Sequence, residues 1–188
     1  MSKVQSAENF AKERHVSTSR IDANVSHYEH LASVVARLKN LGVTDEDAIS
    51  AAWLHDTIND TSTSFDELDQ RFGSKVAVLV LSISRDKSLS RSVQEEQFVK
   101  QLKEAPIEAK LIKLCDISAN LRDLKNSQFS KTRKSKEMKK RIYYLNVIKT
   151  DLAKNKDKIP GVVSLINGIN DIISSHGLRP VTLIFCYN

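Results

Sequence analysis

Apolar positions recur at helical spacing along most of the chain. Val4, Ala7, Phe10 and Ala11 predict a helix over 4–14. Leu31, Val34, Val35 and Leu38 form one stripe over 27–41, and Gly42 is a stop signal. Thr44, with Asp47 three positions on, reads as the cap of a helix carrying Ala48, Ile49, Ala52, Trp53 and Leu54. That helix runs out in the polar string HDTINDT. Ser64 and Glu67 form a capping-box pattern for a short helix reaching about Phe72, which Gly73 ends. The run VAVLVLSI has strand propensity. Its neighbours are helical and a lone strand has no partner, so it is read as a buried helix over 74–83. Pro106 separates two further helices, 91–104 and 107–125. Apolar spacing resumes in IYYLNVIKTDLAK, and 161–175 makes a last helix. The apolar, strand-like tail VTLIFCYN is expected to pack on the body or on a second copy, which makes a homo-oligomer compatible with the sequence. No internal repeat or long linker divides the chain. The expectation is an all-α fold with 1–188 as one domain.

Composition narrows the class. The 188 residues are 40% hydrophobic and 28% charged, an ordinary globular balance and enough chain for a sizeable core. No stretch approaches 18 consecutive apolar residues, so no membrane partner is expected. The opening MSKVQSAENFAKERH lacks an apolar core followed by a cleavage site, which argues against secretion. Two cysteines, Cys115 and Cys186, form no CxxC pair and suit a reducing cytoplasm. The net charge of +6 is local: segment 125–141 holds eight Lys/Arg against one acidic residue, Glu137. Phe129 is the one aromatic in that segment, so it offers no stacking platform for a nucleic acid. It reads instead as a solvated or phosphate-guiding face.

The candidate chemistry begins with the adjacent pair His55-Asp56, at the end of the apolar run ISAAWLHD. Neighbours on a helix project about 100° apart. They share one ion only in a groove that other helices complete. His27 opens an amphipathic helix upstream. Asp116 stands in KLIKLCDISANL, where a carboxylate is costly unless paired or metal-bound. Two imidazoles and two carboxylates make a mixed N/O set suited to Mn, Fe or Zn. Each also has a plainer reading: an interior hydrogen-bonded histidine for His55, a cap or ion pair for Asp56, a partner of Lys113 or Arg122 for Asp116. His30, one turn from His27, reads as a surface histidine, and Cys115 as a small core residue. Glu95 and Glu96 read as solvated helix charges.

Order and context favour the metal reading. AENFAKERHVSTSR, SHYEHLASVVARL, AAWLHDTINDT, SFDELDQRFGSKVAVLVLSIS and AKLIKLCDISANLRDL follow one another as five segments over 7–125. They resemble the hydrolase domain of RelA/SpoT proteins, an HD-superfamily helical fold, and above all its small stand-alone metazoan type. The second segment resembles the family helix H-P-x-x-V-A-x-I-L, and the third resembles A-A-L-L-H-D-T-V-E-D-T. The resemblance implies a core over 7–125 and a C-terminal helical extension, 126–188. It implies one divalent ion, usually manganese, held by His27, His55, Asp56 and Asp116. It further implies a metal-activated water attacking the 3′-pyrophosphate of ppGpp or pppGpp, with Arg20 and Asn120 facing the nucleotide. Lys87, with Arg91, resembles a phosphate-side segment.

The chain departs from the family pattern in two places. The family's HDxxED Glu is Asn59 here, and Asn accepts no proton as a base. Asp60 is retained, so Asn59 and Asp60 are the candidates beside the attacking water. The family's R-K-x-x-G-x-P-Y-I-x-H opening reads RIDANVSH, keeping Arg20 but losing the Gly-x-Pro-Tyr turn. Two alternatives therefore stand beside ppGpp hydrolysis: hydrolysis of another phosphorylated nucleotide, and a degenerate protein that binds metal and nucleotide without turnover.

Overall fold

Ten helices and no strand make up the described part of the computed structural model, residues 1–16, 18 and 25–183. They are α1 (Lys3–Arg14), α2 (His27–Asn40), α3 (Glu46–Leu54), α4 (Thr57–Asp60), α5 (Phe65–Phe72), α6 (Ser74–Leu81), α7 (Arg91–Glu104), α8 (Ile107–Asn126), α9 (Lys131–Lys154) and α10 (Gly161–Ser174). The all-α reading holds, and VAVLVLSI is helical in α6 as far as Leu81, two residues short of the expected end, with Val76, Ala77, Leu79 and Val80 buried.

The fold is organised around α3. Every residue from Ala48 to Leu54 is buried, because α1, α2, α6 and α8 all pack on it. A helix apolar on all sides is stable only in such an enclosure. Ala48, Ala51 and Ala52 give its neighbours room to approach, while Trp53 and Leu54 fill the space between them. The cap differs from the expectation: Asp45, not Thr44, is the N-cap, and its carboxylate accepts from the Asp47 amide at 2.8 Å. A carboxylate there also suits the positive end of the helix dipole.

The boundaries of α2 and α5 follow local chemistry. Ser26 and Glu29 close a full capping box at the start of α2. Ser64 caps α5 by accepting from the Glu67 amide, while the Glu67 side chain pairs with Arg14 of α1. Gly42 and Gly73 take φ of 90° and 89°, where a Cβ would be strained. Gly73 thereby turns the chain sharply from α5 into α6.

The long helix α8 is buried along most of its length and packs against α2, α9 and α10. Residues Val181 and Leu183 of the tail lie in the core, and Asn170 of α10 clasps the Val181 backbone through both its amide N–H and its carbonyl. The tail thus packs on the body over 181–183 without forming a strand; positions 184–188, with Cys186, lie outside the described residues.

One buried cation ties α8 to α9. Lys110 is 4% exposed, and its ammonium donates to Asp151 and, at 2.7 Å, to the Lys103 carbonyl. The hydrogen bond from Lys110 holds the Asp151 carboxyl below the usual range. Removing the anion leaves a buried charge short of a partner, whereas removing the cation leaves only a solvent-facing carboxylate. Asp151→Ala is therefore expected to destabilise by about 1–3 kcal/mol, and more than Lys110→Met, in urea unfolding at pH 7. Because the folded-state pKa of Asp151 is depressed, this contribution is present above the ordinary carboxylate pKa and fades as pH falls through the folded value. Equal losses in the two variants would contradict the assignment.

Candidate metal centre

Four side chains from three places in the chain converge beside the end of α3. His55 is the C-cap of α3, and its Nδ1 donates to the Ala52 carbonyl at 2.8 Å. That bond fixes the tautomer and turns Nε2 inward. His55 Nε2 faces Asp56 Oδ2 at 3.3 Å and Asp116 Oδ1 at 3.7 Å. The fourth group is His30 of α2. Its Nε2 lies 3.2 Å from Asp116 Oδ1 and 3.8 Å from Asp56 Oδ2. Its Nδ1 faces Asp123 Oδ2 at 3.6 Å.

His30 is thus the imidazole that meets His55, Asp56 and Asp116, in place of the expected His27. Both histidines are on α2 and both are buried. His27 sits one turn nearer the N-terminus, where it groups with His15 and Asp60. The sequence held a signal for this. In H-P-x-x-V-A the histidine precedes the valine by four residues, as His30 precedes Val34, whereas His27 precedes it by seven. Reading His30 as a surface residue missed its place on the apolar stripe with Leu31, Val34 and Leu38.

The donor set fits a divalent ion. Four donors bonded at about 2.1 Å in a tetrahedron stand about 3.4 Å apart; the four imidazole–carboxylate separations here run from 3.2 to 3.8 Å, and His30, His55 and Asp116 each bring a ligand atom within 4.8 Å of the others. Electrostatics point the same way. Burial opposes a charge on His55, but Asp56 and then Asp116 outweigh it and raise its pKa to about 10. Burial would likewise raise Asp116, yet Lys113, His30 and His55 hold its carboxyl well below the usual range. Asp56 is lowered against burial chiefly by His55. The carboxylates are thus kept ionised chiefly by His55 at Asp56 and by the Lys113 ammonium at Asp116.

Neighbouring residues hold the cluster in place. Asn120, one turn on from Asp116, donates its side-chain amide to the Asp116 carboxylate and, at 3.0 Å, to the Asp116 carbonyl. It therefore orients that carboxylate as well as lining the cavity. Lys113 Nζ donates to Asp116 Oδ2 at 2.8 Å. The short α4 presents Asn59 and Asp60. Asn59 Oδ1 accepts from the Arg85 amide at 3.0 Å, which pins the segment after α6 to the site. The carboxyl of Asp60 is raised by burial and by facing Asp56.

The cluster forms one wall of a cavity of about 560 Å³. Five cations line the same cavity: Arg85, Lys113, Arg133, Lys140 and Arg141, with Tyr144 and Phe129 among them. Three of these cations come from α9, so the basic segment does contribute to the cavity. Burial, and then Arg85, push the Lys140 pKa down. Arg133 lies 3.7 Å over the Phe129 ring, and Arg141 pairs with Glu137 at 2.7 Å. The Tyr144 hydroxyl accepts from Arg85 and donates to Glu95. Glu95 is therefore more than a solvated charge, because it braces the cationic wall. Lys87 lines an adjoining cavity of about 280 Å³ together with His55, Asp56, Asn59 and Asp60. Cys115 is fully buried, its thiol pushed up to about 12 by burial, as a core residue should be. Arg20 lies outside the described residues.

Residues 7–145 match the family model described as HD domain. The chain belongs to the HD domain family. HD-domain relatives share much of its length. It is 42% identical over 118 residues to the guanosine-3′,5′-bis(diphosphate) 3′-pyrophosphohydrolase MESH1 of Danio rerio, covering 62% of this chain and 66% of the relative. The same-named protein of Homo sapiens is 38% identical over 120 residues, covering 63% and 67%. The matched segment thus spans about two-thirds of those relatives. Among solved structures, one described as "A metazoan ortholog of SpoT hydrolyzes ppGpp and plays a role in starvation responses" superposes with a TM-score of 0.76 at 26% identity, covering 95% of this chain and 97% of that one. The HD-superfamily fold read from the five segments is therefore the observed one. Among the described residues no helix is long and apolar enough to cross a membrane.

An ion entering the cluster must displace the proton on His55. Uptake of manganese at pH 7 is expected to release protons and to strengthen as pH rises. Calorimetric titrations in two buffers of different protonation enthalpy measure this, and binding without proton release would contradict the electrostatic account.

Proposed function

We propose that the protein is a metal-dependent pyrophosphohydrolase removing the 3′-pyrophosphate of guanosine 3′,5′-bis(diphosphate) or a closely similar nucleotide. The observation that carries this reading is one cavity lined both by a buried His/Asp cluster and by five cations. A polyanion with a scissile phosphoanhydride matches both. The relatives' names point to the same substrate.

In this reading His30, His55, Asp56 and Asp116 hold one divalent ion, manganese being the expected metal. When bound, it supplies Lewis acidity and lowers the pKa of a water. The chain's own residues do the rest. Asn120 and Lys113 keep Asp116 aimed at the centre. Arg85, Lys113, Lys140 and Arg141 offset phosphate charge, which is worth most in a site that excludes bulk water. Asp60 is the member of the Asn59–Asp60 pair able to take a proton, and its raised pKa makes it a stronger base than an exposed Asp. Lys87 supports the phosphates from the adjoining cavity, and Arg20 is retained as a nucleotide-side residue. The core 7–125 supplies the ion-binding wall, and the extension 126–188 supplies part of the cationic one. The protein is taken to act in the cytoplasm.

A second reading is favoured by Asn59, whose carbonyl oxygen is already engaged by the Arg85 amide. A protein lacking the family Glu can bind metal and nucleotide without turning it over.

Pyrophosphate release from ppGpp by the manganese-loaded protein separates the two. The hydrolase reading predicts release that falls by about 100-fold or more in Asp116→Ala and His30→Ala. Asn59→Glu is expected to raise the rate by about 100-fold, the scale of a general base. Release from Asn59→Glu alone would mean that the natural protein is a binder. Release from neither would contradict the substrate assignment, and a panel of 2′-, 3′- and 5′-phosphorylated nucleotides then identifies the alternative.

A further inference from the structure

We propose that His15, His27 and Asp60 form a second divalent-cation site, suited to zinc, beside the main centre. One ligand atom from each lies within 4.8 Å of the others. His15 and His27 stack, with ring centroids 4.8 Å apart and planes inclined by 27°. His27 Nδ1 lies 3.9 Å from Asp60 Oδ2.

The independent pointer is His15. The ring is 6% exposed. Its Nδ1 donates to the Ala11 carbonyl at 2.8 Å, which leaves Nε2 with the lone pair. Nε2 is buried and has no hydrogen-bond partner among the described residues. A buried imidazole nitrogen without a donor is costly, and an ion satisfies it directly. The backbone bond at Nδ1 is the arrangement that usually orients metal-binding histidines.

Two imidazoles and one carboxylate, with a further position open, form a zinc-type donor set. His27 and Asp60 line the same cavity as His30, Asp56 and Asp116, so an ion here would face the same ligand. With His30 in the first position of the H-P helix, the family's Pro-Tyr-Ile reads Ser26-His27-Tyr28. The second site is therefore a property of this chain's own histidine at a position where the family pattern has tyrosine. Asp60 has one role at a time: free, it accepts a proton; holding an ion, it is a ligand.

Zinc stoichiometry tests the site. Chelator-stripped full-length protein is equilibrated with buffered zinc and its metal content measured by mass spectrometry. Two equivalents are expected per chain, falling to one in His27→Phe and to one in His15→Gln, each with an unchanged circular-dichroism melt. Asp116→Ala should also fall to one, and Asp116→Ala with His27→Phe to none. The separate variants keep the two centres distinguishable: a loss in His27→Phe but not in Asp116→Ala supports this site and counts against the main one. One equivalent in the native protein that His27→Phe leaves in place would overturn the proposal, and so would two equivalents that survive both His27→Phe and His15→Gln.

Discussion

Asp116 sets the terms for the rest of the site. Its carboxylate sits in the middle of α8, 6% exposed, between Cys115 and Ile117, which are both buried. An ionised carboxyl is tolerable there only among partners. Lys113 supplies one from its own helix, Asn120 another, and His30 and His55 approach from α2 and α3. The same demand explains why α2, α3 and α8 meet at this level. The apolar packing of Leu31, Leu54, Ile112 and Leu121 drives the helices together, and the polar cluster fixes which faces they present.

The cationic wall follows a different logic. The residues of α9 are amphipathic in a way that serves two surfaces: Met138, Leu145, Ile148 and Leu152 go to the core, and Arg133, Lys140 and Arg141 go to the cavity. Cations gathered beside a metal-capable cluster repel one another, and at Lys140 this adds to burial in pushing the pKa down. A polyanionic ligand relieves that repulsion, so charge complementarity favours binding and steers approach. Glu95, Tyr144 and Arg85 lock into a chain of hydrogen bonds that keeps the wall in place before any ligand arrives.

Much of this was legible in the sequence, for identifiable reasons. Helical periodicity located most of the helices, but not the short α4 inside the polar string HDTINDT or the basic first half of α9; the neighbourhood argument resolved VAVLVLSI correctly, because a run without a sheet partner has nowhere to satisfy its backbone. The cap at α3 was misplaced by one residue, since Thr44 and Asp45 are both good caps and only the backbone decides between them. His55, Asp56 and Asp116 stood out as polar residues in apolar runs. His30 did not, because two histidines three apart share a helix face and spacing alone does not tell which of them meets His55. The Lys113–Asp116 pair was readable from its spacing, but the tertiary roles of Arg85, Glu95 and Tyr144 carried no local signal. They become visible only when the segment after α6 is seen to border one cavity with α8 and α9.

The central claim is that His30, His55, Asp56 and Asp116 share one ion. Anomalous diffraction at the manganese edge, from crystals grown with manganese, tests it most directly. The account predicts a peak bonded to His30 Nε2, His55 Nε2 and both carboxylates. A peak that engages His55 and Asp116 but takes its second imidazole from His27, with His30 left out, would contradict it.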